Sequence, residues 1–215
     1  MRVTAETPAP KGLSGRKAQA ARNDGIILDA AREVFLADPG APIAAVAQRA
    51  GVGISALYRR YPSKEALLRT LCYEGLVRYN AEAEAALRES DDWRVLAEFL
   101  RRVVDADVHS LTVHLAGTFT PDDAFLPQVR RSGELAQEVI RRARASGRLR
   151  AEVDTPDLGL ILEACSAISH TDPERTVQLR RRVLGVLIDG LTVEGELPGP
   201  PPAPDEFAYR WLPRE

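Results

Sequence analysis

Between Ile54 and Lys64 the chain reads ISALYRRYPSK, a run in which hydroxyl, phenol, guanidinium and ammonium groups fall at helical spacing. On a helix over 54–61, Leu57 and Tyr61 share an inward face one turn apart, and Ile54, Ser55, Ala56, Tyr58, Arg59 and Arg60 occupy the rest of the surface. Side chains of these types recognise rather than transform. Ser55 and Arg59 suit base edges, arginine bidentately on guanine, while Ile54 and Ala56 offer no donor or acceptor and suit thymine methyl groups. Tyr58, Arg60 and Lys64 suit backbone phosphates. Pro62 ends the helix, and Ser63 is placed to cap the next one, whose free first-turn amides would face the same anion as Lys64.

A recognition helix needs elements that hold it. Ile43, Val46, Ala47 and Ala50 repeat at three- and four-residue spacing, which predicts a short helix with one apolar face. Gly51 supplies the left-handed residue that ends it, and Val52 plugs the angle between two crossing helices, giving a helix-turn-helix. A first helix over 18–37 carries the stripe Ile27, Ala30, Ala31, Val34 and Phe35 on which that unit packs, and Asp38-Pro39-Gly40 breaks it.

The run AGVGISALYRRYPSKEALL resembles the N-terminal domain of the TetR family of bacterial transcriptional regulators, with the LY, Y-P-S-K and E-A-L-L elements in register over about Arg16 to Leu71. The resemblance implies an all-α homodimer that binds a palindromic double-stranded DNA operator, represses, and is released when a small molecule enters the C-terminal domain. One departure matters. Many members place Thr or Ser at the start of the second helix for a phosphate contact, where this chain has Ala41, Pro42 and Ile43.

Charge is distributed in the sense this reading requires. Residues 1–65 carry ten Lys or Arg against six Asp or Glu, and the remainder 19 against 25, so the basic end is the end with the motif. No stretch approaches the roughly 20 apolar residues of a membrane span, and the first residues lack the apolar core of a signal peptide, which predicts a cytoplasmic protein. Cys72 and Cys165 each sit in an apolar helical pattern and read as buried thiols. There is no nucleophile elbow, phosphate-binding glycine loop or zinc spacing, so neither an enzyme nor a cofactor or metal is expected. The alternative is a helical small-molecule-binding or dimerisation protein without specific DNA binding, which the donor-poor start of the recognition helix permits.

The predicted organisation is all-α: a three-helix helix-turn-helix head over 16–65, then a larger helical effector-binding and dimerisation domain over 66–194. Residues 1–15 read as a disordered basic arm, continuing into Arg16 and Lys17, which suit a minor groove or plain solvent equally. A helix over 63–87, about 35 Å long, joins the two domains. A long apolar helix follows from Trp93 to about Leu115. Three further starts share a cap, a proline and an acid: Thr120-Pro121-Asp122, Thr155-Pro156-Asp157 and Asp172-Pro173-Glu174.

Leu126, Val129, Gly133, Ala136, Ile140 and Ala143 step along one face of the helix expected from 121, which should pack internally and end near Gly147. The last helix, 173–191, is apolar over more than half its circumference, so one face is free for a second copy. Leu160, Val183, Val186 and Leu187 are the interface candidates, on the two helices that the resemblance assigns to a four-helix dimer contact. Trp93, Phe99, His109, His114, Phe119 and Phe125 are candidates for an effector pocket. Asp105 and His109, one turn apart on a continuous helix, could share a ligand, hold a metal or bond each other. Residues 195–215 form a Pro-rich tail in which Phe207, Tyr209 and Trp211 could dock on the body.

Overall fold

The structure, a computed structural model, describes residues 12–192, 197–200, 202–203 and 206, with side chains from Asp24 onward except Thr112. Among these residues every regular element is a helix, and the chain divides into two compact units at Lys64 and Glu65. The tail side chains Phe207, Tyr209 and Trp211 and residues 1–11 of the expected arm lie outside the described residues.

The first unit holds α1 (Gly12–Ala37), α2 (Ile43–Ala50) and α3 (Ile54–Arg60). Ile27, Ala30, Ala31 and Phe35 of α1 are buried, as are Ile43, Val46 and Ala47 of α2 and Leu57 of α3, while Val34 and Ala50 of the predicted stripes are half-buried at their edges. The helix α1 begins at Gly12, earlier than the sequence predicts. Arg16, Lys17, Ala18, Gln19, Ala20 and Ala21 are good helix formers that carry it toward the N-terminus, so Arg16 and Lys17 stand in a helix rather than in an extended arm; their side chains lie outside the described residues.

The second unit contains α4 (Lys64–Ala86, whose first residue belongs to the head), α5 (Asp92–Asp105), α6 (Val108–Leu115), α7 (Phe125–Ala145), α8 (Thr155–Ser166) and α9 (Pro173–Gly190). Its centre is α5, buried at Trp93, Val95, Leu96, Ala97, Phe99, Leu100, Val103 and Val104 and lying against α6, α7, α8 and α9. A helix that lies against four others needs a broad apolar face, and α5 has one, with Arg94, Glu98, Arg101, Arg102 and Asp105 on the opposite side. Asp91 caps α5 by accepting from Arg94 N–H at 2.8 Å. The start of α9 follows the predicted signature, Asp172 accepting from Glu174 N–H at 2.9 Å, whereas α8 is capped one residue before the expected Thr155, by Asp154 in a reciprocal capping box with Asp157.

Three expectations are corrected. The helix expected from Trp93 to Leu115 is broken at Ala106 and Asp107, where Asp107 takes φ 51°, a left-handed backbone that a short polar side chain tolerates. The helix expected from 121 begins at Phe125: Asp122 turns the chain by accepting from Ala124 N–H at 3.1 Å, and the proline inside the first turn is Pro127. The face expected to pack internally along α7 is split. Ala136, Ile140 and Ala143 are buried together with Phe125, Leu135 and Val139, whereas Leu126 and Val129 are exposed because the first turn buries Phe125, one residue and about 100° away from Leu126.

Candidate functional site

The head presents α3 outward. Ile54, Ser55, Ala56, Tyr58, Arg59 and Arg60 are all exposed around a fully buried Leu57 and a buried Tyr61. Gly51 at φ 66° ends α2, and Val52 N–H closes back to Ala47 O at 3.0 Å, which fixes the turn that sets α3. Tyr61, held extended before Pro62, ends α3. The cations differ in what they do. Arg60 pairs with Asp24 of α1 and Arg49 with Glu33 of α1. Lys64 donates to Pro39 O at 2.8 Å and lies 5.1 Å over the Phe35 ring. Arg59 is exposed at the centre of the outward face.

The second unit encloses a polar cluster among α5, α6, α8 and α9. Arg180, from α9, donates to Asp107 at 2.7 Å, to Ile168 O at 3.0 Å and to Ser166 O at 3.4 Å. The next residue, Arg181, donates to Asp105 at 2.7 Å, so one turn of α9 holds the two carboxylates on either side of the α5–α6 break. Ser110 also donates to Asp107. His109 is buried at 4% exposure, with its Nδ1 3.3 Å from Val103 O. Burial pushes its imidazole down to about 4, with Asp107 pulling upward and Arg180 adding to the depression. His114 is exposed and donates through Nδ1 to Ser110 O at 2.8 Å. Burial raises the Cys165 thiol, and Arg180 opposes that shift.

The aromatic candidates do not form one pocket. Phe119 and Phe125 meet at 5.7 Å between centroids, with Tyr73 of α4 at 5.5 Å from Phe125. Phe99 packs edge-on to Tyr79 at 5.5 Å, and Trp93 lies under Arg148 at 4.8 Å. Trp93 is ten residues before Val103 on α5 and so about 15 Å along the axis from the His109 cluster. Of the alternatives open for Asp105 and His109, the direct bond is not formed, because the break at Asp107 turns α6 away from the line of α5 and each residue finds another partner. Elsewhere, α4 comes so close to α6 that a Cβ on Gly75 would stand 3.1 Å from Leu111 Cδ1.

Residues 27–71 match the family model described as bacterial regulatory proteins, tetR family, and residues 91–193 match that of the transcriptional regulator SbtR-like C-terminal domain. The chain belongs to the TetR family of bacterial transcriptional regulators. Its solved relatives include a TetR transcription regulatory protein from Mycobacterium vanbaalenii, 27% identical with a TM-score of 0.56 over 82% of this chain and 99% of that one. The TetR-like transcriptional regulator LfrR from Mycobacterium smegmatis, in complex with proflavine, is 24% identical with a TM-score of 0.61 over 82% and 99%. A TetR transcriptional regulator from Streptomyces coelicolor is 23% identical with a TM-score of 0.57 over 80% and 99%. No curated protein matches the chain.

This TetR-family chain is therefore a DNA-binding regulator and not an enzyme. No helix among the described residues is long and apolar enough to cross a membrane, and no cluster of His, Cys, Asp or Glu among them has the makings of a metal site. Sequence reasoning missed Arg180, yet it carried a signal: Arg180, Leu184, Ile188 and Leu191 form one buried line at helical spacing, so the inward stripe of α9 extends back onto an arginine. Asn80 was missed as well; it is buried on α4 and donates to Gln128 O at 3.1 Å and Gln128 Oε1 at 2.9 Å.

Proposed function

We propose that this chain is a ligand-responsive repressor that binds a palindromic operator as a homodimer in the cytoplasm and leaves it when a small molecule occupies the second unit. The observation that carries the reading is α3, a helix anchored on its inward side by Leu57 and presenting reader residues everywhere else. Ser55 and Arg59 read bases, Ile54 and Ala56 meet thymine methyls, and Tyr58 holds phosphate. Lys64, held by the α1–α2 loop, is a further phosphate contact, and Arg60 is one that Asp24 of α1 competes for. Arg16 and Lys17, on the first turns of α1, are the remaining candidates for a groove contact.

Dimerisation is supported by an apolar surface on two helices that contact each other. Leu160 of α8 and Val183 and Val186 of α9 are exposed, and Leu187 is half-buried. A two-fold dimer has to set its recognition helices about 34 Å apart or near a multiple of that. Ligand response is supported by the polar cluster around His109 and by the close approach of α6 to α4 at Leu111 and Gly75, since α4 is continuous from Lys64 to Ala86. A ligand that shifts α6 would press on α4 and disturb the half-site spacing.

Selection of bound sequences from a random duplex pool at fixed salt tests this. The wild type should enrich a palindrome, Arg59→Ala should relax one position in each half-site, and Tyr58→Ala should weaken binding to all sequences alike. Enrichment of no sequence would overturn the reading.

A further inference from the structure

We propose that His109 Nε2 is the hydrogen-bond acceptor of the effector site, and that it selects a neutral molecule with an apolar body and a hydroxyl or N–H donor. The inference rests on the reading of the second unit as ligand-responsive.

The ring's protonation is fixed by its surroundings. Asp107 N–H bonds Val104 O at 3.1 Å, so the α5–α6 break leaves the Val103 carbonyl to His109 Nδ1. A carbonyl can only accept, which places the proton on Nδ1. Burial holds the ring neutral at physiological pH. Nε2 therefore carries a bare lone pair. It is buried, on a side chain 2% exposed, and no group among the described side chains bonds it.

Its polar neighbours are engaged elsewhere. Asp107 takes from Arg180 and Ser110, Arg180 also serves two α8-side carbonyls, and His114 bonds Ser110 O. A buried acceptor without a partner is uncommon enough in folded proteins to call for a cause, and ligand recognition is one. The chemistry also limits what can bind. A carboxylate would bring lone pairs against a lone pair, and a cation would find the Asp107 charge already matched by Arg180. A hydroxyl or N–H satisfies Nε2, and the buried apolar residues around His109 in the chain, Val103, Val108 and Leu111, favour a hydrocarbon body. A site of this kind rejects an isostere lacking the donor, because Nε2 is then left unpaired.

The test uses full-length protein labelled with 15N-histidine, titrated with phenol and with anisole, which has a similar shape and no O–H. Phenol should move the His109 Nε2 resonance upfield and bind about tenfold tighter than anisole, and His109→Leu should bring the two within about twofold. Because the wild-type resonance reports directly, the result stands even where His109→Leu folds poorly. Equal binding of phenol and anisole, or a preference that survives His109→Leu, overturns the acceptor role and leaves the ligand-responsive reading standing. An Nε2 resonance that neither compound moves also overturns the inference. The underlying reading is judged apart from this, by whether a small-molecule extract of cells releases the protein from its selected operator.

Discussion

Arg180 and Asp107 lie 73 residues apart in sequence and 2.7 Å apart in space, and their contact ties α9 to the only left-handed non-glycine residue among the described ones. The Arg180 side chain is 11% exposed and that of Asp107 33%, so the pair is only partly screened by solvent. Removing one member strands the other, as Arg180→Met would do to Asp107, and should cost about 2–3 kcal/mol, below the full value for a deeply buried pair. Asp107 has a second demand on it. Asp107→Ala loses the charge and also puts a Cβ-bearing residue without polar compensation at φ 51°, about 1 kcal/mol worse than Asp107→Asn, which tolerates that backbone. Urea unfolding of the three variants checks the order: Asp107→Asn least damaged, with Asp107→Ala and Arg180→Met below it. Equal stability of Asp107→Asn and Asp107→Ala would show that the backbone at 107 is unstrained.

Much of the head was legible from the sequence because its signals are local. Gly51, Pro62 and the apolar positions of three short helices determine turn, stop and inward face within a few residues of one another, and the exposed set on α3 matches the spacing residue for residue. The second unit was less legible where distant chain decides the outcome. Nothing around residue 107 announces that an arginine from α9 will stabilise a break there, so a continuous apolar pattern read as one helix. The start of α7 failed for a related reason: Thr120-Pro121-Asp122 carries start chemistry, but Asp122 spends its carboxylate on a turn and the helix opens at Phe125, whose ring packs on Phe119 and Tyr73.

His109 makes stability depend on pH. Its imidazole falls from the usual 6.5 to about 4 in the folded chain because burial disfavours the charged form. Between those values the unfolded chain binds the proton and the folded chain does not, so stability is complete above about pH 6.5 and is lost as pH falls toward 4. The contribution is on the order of 3 kcal/mol, since each tenfold change in proton affinity is worth about 1.4 kcal/mol. Carboxylates also titrate in acid, so the informative quantity is a difference. The gap in unfolding free energy between wild type and His109→Leu should move by that order in favour of the variant between pH 7.5 and 4.5. A gap independent of pH would mean that the folded ring titrates like the unfolded one, as a water-accessible imidazole does.

Asp24 restrains Arg60 in the head. Their ion pair holds a guanidinium that would otherwise be available to a phosphate, and Asp24 itself adds a negative charge beside α3, the proposed recognition helix. Asp24→Asn should therefore tighten operator binding several-fold at low salt and steepen the slope of log affinity against log salt by about one, the signature of one further phosphate neutralised. Specificity should not change, because phosphate contacts carry no base information. A weaker complex after this substitution would instead show that Asp24 holds Arg60 in its binding geometry.

Val186 offers the sharpest test of the dimer. It is 68% exposed in the single chain, so Val186→Glu should alter protomer stability by no more than about 0.5 kcal/mol. A second copy seated on α8 and α9 would bury that position together with Leu160 and Val183, and an unpaired carboxylate there is expensive to desolvate. Sedimentation should then show the wild type as a dimer and Val186→Glu as a monomer at the same concentration. Operator affinity should fall with it, because two half-sites are no longer bound by one linked molecule. Val129→Glu, on α7 beside the likewise exposed Leu126, serves as the comparison and should remain dimeric. If Val186→Glu stays dimeric while Val129→Glu dissociates, the copies meet through α7, and the half-site geometry has to be derived from that face instead.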